Sequence, residues 1–225
     1  MSHDHSGYLT DEETVDHIYS LVKSGDVASA TSYFLGLGDD KEVLKRWVGV
    51  QCDIYNVKKD PYASELIGHE AVKFALSKDY KQSAAILLHN ISSFHMQAWD
   101  ENVDPLVIPG IIEVAAKQVE LREQIGEKPT LAWAYWDYGM TLLVGSQFDE
   151  AIEQFGKSVT LAESIGETNN AAWSKLFIGK TIVKSDPTRR HEGQQIMADA
   201  GNFIETGGED WEKEELVNIL ATVGL

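Results

Sequence analysis

The chain has 225 residues, enough for one large domain or two small ones around a sizeable core. Its apolar (43%) and charged (24%) fractions are those of a globular protein, which excludes long disorder as the default state. The 36 acidic against 19 basic side chains leave a formal charge of -17, a surface that repels phosphate backbones and argues against nucleic acid as partner.

One cysteine, Cys52, rules out a disulfide framework within the chain. No apolar run approaches the ~20 residues that span a bilayer. The N-terminus MSHDHSGYLTDEET lacks the basic and apolar regions of a secretory signal. A cytoplasmic protein without membrane association is expected.

Residues 1–9 read as a flexible tail, and 10–225 as a single helical domain, irregular over 10–104 and more clearly repetitive over 105–225. TDEETVDHIYSLVKSG opens with Thr10 and Glu13 at capping-box spacing. DVASATSYFLGLG, DDKEVLKRWVGVQCDIYNV, PYASELIGHEAVKFALSKDY and KQSAAILLHNISSFHMQAW follow, each helical in pattern and closed by Gly, Asp-Pro or an acidic turn. VDPLVIPGIIEVAAKQVELREQIG is a further helix with prolines at its start. PLVI (105–108) is the one strand candidate and is too short to build a sheet.

TLAWAYWDYGMTLLVG places Leu131, Ala134, Tyr135, Tyr138, Leu142 and Leu143 at helical steps before Gly145 and Ser146 break the pattern. FDEAIEQFGKSVTLAESIG continues with Phe148, Ala151, Ile152, Phe155, Val159, Leu161 and Ile165, and Gly166 stands where a left-handed C-terminal stop belongs. Helix, short turn, helix, loop is therefore the unit. A helix starts near Pro187, and EDWEKEELVNILATVGL is a terminal helix whose charged outer face caps the array. In all, about eleven helices are expected, and the fold class is all-α.

Two of these stretches say nearly the same thing. Residues 113–140 and 153–180 agree without a gap at 11 of 28 positions, including the Gly126/Gly166 stops, Trp133/Trp173 and Gly139/Gly179. FIETGGE (203–209) is a weaker third echo of the same helix end. A repeat of this length signals units that bury their faces only against their neighbours.

The segment 135–159 resembles a tetratricopeptide repeat. Gly139, Phe148, Ala151 and Phe155 match the family's small residue in the first helix, aromatic at the turn, small residue opening the second helix and aromatic one turn on. WSKLFIGKTIV (173–183) resembles the first helix of a second copy through Leu176 and Gly179. EGQQIMADA (192–200) would be its second helix, with Ala198 or Ala200 as the small residue. The 40-residue period exceeds the usual ~34, and Glu163 stands where a proline commonly closes the second helix. Both departures resemble the longer-helix branch found in bacterial signalling regulators and the kinesin light chain. The resemblance covers roughly 110–185. It implies a right-handed α-solenoid of antiparallel helix pairs. Its function would be that of a non-enzymatic scaffold, binding a peptide or protein along the concave face lined by the first helix of each pair.

On one helix Trp133, Trp136 and Met140 form one stripe, and Tyr135, Tyr138 and Leu142 another. Either both pack against neighbouring helices or one lines a binding face. In the second reading the resemblance assigns partner contacts to Trp133, Trp136 and Met140, and in the next unit to Trp173, Leu176, Lys180 and Lys184. Some relatives clamp a peptide's terminal carboxylate with Lys and Asn, but Trp136 and Met140 occupy positions where polar clamp residues would be needed. The competing reading of Lys180 and Lys184 is a solvated helix face.

Neither a catalytic nor a metal site is expected, and no cofactor. His3 and His5 lie on the tail, His89 and His95 are off-face, and GHEAVKF (68–74) lacks the second histidine of a zinc-protease helix. Cys52 lies on an apolar helix face and reads as inert. The acid groups Glu120/Glu123, Asp149/Glu150 and Glu212/Glu214/Glu215 fall on faces expected to be exposed. DPTRRHEG (186–193) is the one basic cluster, either a contact point or a helix start. The alternative function is sensing of a small molecule or signalling peptide, as in bacterial tetratricopeptide regulators. Residues 8–37 lack the basic recognition helix of a DNA-binding module.

Overall fold

The computed structural model describes residues 12–36, 38–96 and 103–224. The expected tail over 1–9 and the capping residue Thr10 lie outside the described residues. Among them the secondary structure is helical throughout: α1 Glu12–Lys23, α2 Val27–Leu35, α3 Asp40–Asn56, α4 Pro61–Ser77, α5 Lys81–Met96, α6 Ile108–Ile125, α7 Lys128–Val144, α8 Phe148–Ile165, α9 Thr168–Ser185, α10 Arg190–Gly207 and α11 Asp210–Val223. The strand candidate at 105–108 is a turn leading into α6. None of these helices is long and apolar enough to cross a membrane.

The chain divides into two compact units, Met1–Leu121 and Arg122–Leu225, the division falling within α6. In each unit helices pack on their neighbours in sequence, α3 on α4 and α4 on α5 in the first, α7 on α8, α8 on α9 and α9 on α10 in the second.

The 40-residue echo is exact at helix level. α6 and α8 begin and end 40 residues apart, and so do the starts of α7 and α9. Gly126 and Gly166 follow the ends of α6 and α8 with φ of 79° and 78°. Glycine adopts this left-handed conformation without the cost a Cβ would bring. The third echo departs from this pattern: Gly208, after α10, is extended, with φ -77° and ψ 161°.

A second regularity was hidden from the sequence. The α1–α2, α4–α5 and α7–α8 turns share one backbone geometry through chemically unlike residues. Gly25, Asp79 and Ser146 each take φ between 58° and 83°. The next N–H, from Asp26, Tyr80 or Gln147, donates to the carbonyl five residues back at 2.8–2.9 Å. This is the Schellman closure, which satisfies carbonyls that a helix end would otherwise leave bare. Identical turns give identical registers. The fourth residue of each second helix is small and the eighth is large: Ala30 and Phe34, Ala84 and Leu88, Ala151 and Phe155, all at most 2% exposed. The irregular N-terminal half thus contains two hairpins of the same construction.

α9 and α10 form a further pair with the same small-then-large register but a different turn. The small residue at the crossing is Gly193, the fourth residue of α10, followed by buried Met197, rather than Ala198, which is exposed, or Ala200. α10 begins 42 residues after α8, because Pro187–Arg189 forms an extra 3-10 turn ahead of it. Asp186 holds that turn by accepting from Thr188 N–H at 2.8 Å and from Thr188 Oγ1 at 2.6 Å. Pro187 therefore opens the 3-10 turn and not the α-helix itself.

The small residues set the helix spacing. A Cβ at Gly139 would lie 2.6 Å from the Phe155 ring, so the ring lies directly on the α7 backbone. Gly179 and Gly193 approach so closely that a Cβ on either would stand 2.6 Å from the other's carbonyl oxygen. Around the α7–α8–α9 contact the rings of Trp133, Trp136, Phe177 and Phe155 run in a chain, with centroids 5.5–5.8 Å apart. The first unit has its own series, Phe34 stacked on Trp47 at 4.7 Å and Trp47 against Phe74 at 5.6 Å. Each such pair adds ~0.5–1.5 kcal/mol beyond the area it buries.

Candidate functional site

The seven residues assigned to partner contact form no open strip. Trp136, Met140, Trp173, Leu176 and Lys180 are all buried, at 5%, 1%, 1%, 0% and 4% exposure. Only Trp133, half-buried, and Lys184, exposed, reach solvent. The structure does bring together Trp133 and Trp136, edge to face, and Trp136 and Phe177. Their contacts are those of a core, and the packed reading of the stripe holds for Trp136 and Met140. Lys180 lies alongside its own helix, its ammonium 5.5 Å from the Phe177 ring centroid.

Trp173 has a specific polar partner that the sequence reading placed on the surface. Glu212 of α11 is 4% exposed. Its Oε1 accepts from Trp173 Nε1 at 2.8 Å and from Asn169 Nδ2 at 2.7 Å, and its Oε2 from the N–H of Glu209 at 2.8 Å. Desolvation pushes this carboxyl's pKa up, but the bonds from Asn169, Glu209 and Trp173 outweigh it and the net displacement is downward. One signal was available: Glu212 lies at i, i+4, i+7 and i+11 with Leu216, Ile219 and Val223, the buried stripe of α11. Of its neighbours, Glu214 is exposed and Glu215 half-buried.

Other polar groups are also occupied by the fold. Ser158 Oγ lies 2.7 Å from Ala132 O and 2.8 Å from Asn170 Oδ1, while Ser174 Oγ donates to Ser158 Oγ at 2.9 Å, tying α7, α8 and α9 together. Asn90 Nδ2 donates to Gln51 Oε1 at 3.0 Å, and burial pushes the Cys52 thiol up to about 12, which keeps it an unreactive thiol at neutral pH.

In the first unit Glu65 stands between two histidines. Nε2 of buried His95 lies 2.9 Å from its Oε2, and Nε2 of His69 lies 3.4 Å from its Oε1. Bonds from His69 and His95 hold the carboxyl at about 2 against the desolvation that opposes them. A depressed carboxyl contributes stability that is present above its unfolded value near 4.5 and lost as pH falls from there toward 2. The contribution is on the order of 2–3 kcal/mol. Glu65→Gln is expected to lower the urea unfolding free energy by that amount at pH 5 and to flatten its decline below. An unchanged acid limb would show that the pairing is absent in solution.

Among the described residues, grooves open to solvent include two with apolar walls. One, about 610 Å³, runs between α7 and α8 over Leu131, Tyr135, Gly156 and Leu161. Tyr135 donates to Glu123 at 2.7 Å; desolvation and then that carboxylate push its phenol up to about 12. The cation at its edge, Lys157, pairs with Glu153 at 2.8 Å. The other groove, about 560 Å³, lies between α3 and α5 in the first unit, with Leu44, Val48 and Ile86 in its wall and Lys41 and Lys45 at its rim.

Compared with known proteins by sequence, the chain matches no family model and no curated protein.

Proposed function

We propose that this chain is a non-enzymatic, tetratricopeptide-like scaffold of the cytoplasm that binds a protein or peptide in a groove between helices. The supporting observation is a pair of open grooves, each with apolar walls and a polar rim, one on the α7–α8 hairpin and one between α3 and the α4–α5 hairpin. Rigid helix faces with apolar grooves suit helix or strand segments that bury a few anchoring side chains. The tryptophans first assigned to contact serve instead to hold the helices that frame a groove.

The test is site-specific photo-crosslinking in extract of the native host. A photoreactive residue at Lys45 or Tyr135 should trap a protein partner, and one at buried Leu176 should trap none. Native mass spectrometry of the purified chain separates this from the sensor alternative. A stoichiometric low-mass ligand, with no protein crosslinked from either groove, would overturn the scaffold reading.

A further inference from the structure

The two grooves differ in what their charges already do. Around the α7–α8 groove the polar groups are engaged, Lys157 by Glu153 and Tyr135 by Glu123. At the α3–α5 groove they are not. The acids on the first turn of α3 are turned elsewhere: Asp39 accepts from the N–H groups of Lys41 and Glu42, Asp40 pairs with Lys78 at 3.0 Å, and Glu42 pairs with Arg46 at 3.1 Å. Lys41 and Lys45 remain exposed, with no carboxylate within 4 Å of their ammonium groups among the described residues. The Tyr80 and Ser83 hydroxyls, on the opposite wall, likewise donate to no group among the described residues. In a protein of charge -17, the ionised side chains lining this groove are two lysines.

Their spacing is regular. Lys41 and Lys45 are one turn apart on α3, about 6 Å along its axis. Leu44 and Val48 follow at i+3 and i+7 on the same face, and Ile86 faces them from α5. A helix carrying carboxylates at i and i+4 presents them at the same ~6 Å interval, with apolar residues on the adjoining stripe.

We propose that the α3–α5 groove docks an acidic amphipathic helical segment of a partner protein, with its carboxylates on Lys41 and Lys45 and its apolar side chains against Leu44, Val48 and Ile86. This rests on the scaffold reading and adds to it the place and the chemistry. The net negative charge of the protein disfavours an acidic segment on most of its surface, whereas the cations lining this groove attract it.

The test is fluorescence anisotropy of the intact chain with a fluorescein-labelled peptide of repeated Glu-Leu-Leu-Ala units, whose carboxylates recur once per turn. Binding is expected, weakening as salt rises from about 50 mM to about 300 mM. The variant carrying Lys41→Glu and Lys45→Glu should bind about tenfold more weakly or worse. The Gln pair should fall between, and Lys157→Glu in the other groove should match the parent. Circular dichroism checks that the helices persist in each variant. Binding that ignores charge reversal at 41 and 45, or a peptide with Lys in place of Glu that binds equally, would overturn the proposal. No peptide binding, together with a protein still crosslinked from Tyr135, would overturn it and leave the scaffold reading standing.

Discussion

Gly179→Ala lowers stability by about 2–3 kcal/mol, although alanine is the better helix former by about 1 kcal/mol. The sign follows from what the new Cβ meets. It would lie 2.6 Å from Gly193 O and 3.0 Å from Met197 N, both backbone atoms of α10, and 2.6 Å from Met197 Cγ. Backbone cannot swing aside as a side-chain end can, so α9 and α10 must separate along their length. The reciprocal Gly193→Ala meets Gly179 O at 2.6 Å and Val183 Cγ2 at 2.7 Å and is expected to cost the same. Gly156→Ala, in mid-α8, is the control. A Cβ there finds nothing within 4 Å, so the propensity gain should appear undiminished, raising stability by ~0.5–1 kcal/mol. Urea unfolding of the three variants decides the matter. If Gly179→Ala and Gly156→Ala stabilise alike, α9 and α10 do not cross at Gly179.

Glu212→Leu costs about 3 kcal/mol, with the leucine filling much of the space. The penalty comes from the donors left behind, since Trp173 Nε1, Asn169 Nδ2 and the Glu209 N–H lose their acceptor together. Glu212→Gln separates the parts. Its amide oxygen serves Trp173 and Asn169, but its NH2 group then faces the Glu209 N–H, donor against donor. A loss of about 1–2 kcal/mol is expected for it. The acid dependence has a definite sign. The carboxyl's pKa is displaced downward from 4.5, so its contribution is present above that value and fades as pH falls below it. Thermal unfolding of both variants at neutral and acid pH checks this. Equal losses for Leu and Gln, or none, would show that Glu212 does not hold α11 to α9.

The candidate contact residues were misplaced for one physical reason. Helical spacing tells which residues share a face, but the neighbour on that face is set by another part of the chain. Trp136 and Met140 share a stripe as expected, yet Phe177 from α9 meets Trp136. Lys180 carries a charge that belongs in water, and packing covers it all the same. Glu212 is the converse, since its position on an apolar stripe outweighs its charge once three donors converge on it. The lysines of the proposed docking groove had drawn no notice, because an uncompensated charge is visible only when the partners of its neighbours are known.

The all-helical class, the 40-residue spacing of α6–α7 and α8–α9, and the left-handed glycines that end α6 and α8 follow from local chemistry. Apolar period, turn residues and the freedom of glycine at positive φ are properties of short segments and are legible in them. The close packing of Phe155 on Gly139 was legible too, through a pattern of small and large residues. Three things were decided only in the folded chain. One is that the Gly25, Asp79 and Ser146 turns are alike, because they share a dihedral and not a side chain. Another is that Gly193, displaced by the 3-10 turn at Pro187–Arg189, and not an alanine further on, meets Gly179. The third is which aromatic and charged side chains are buried, because burial is a relation between helices distant in sequence and no single helix contains it.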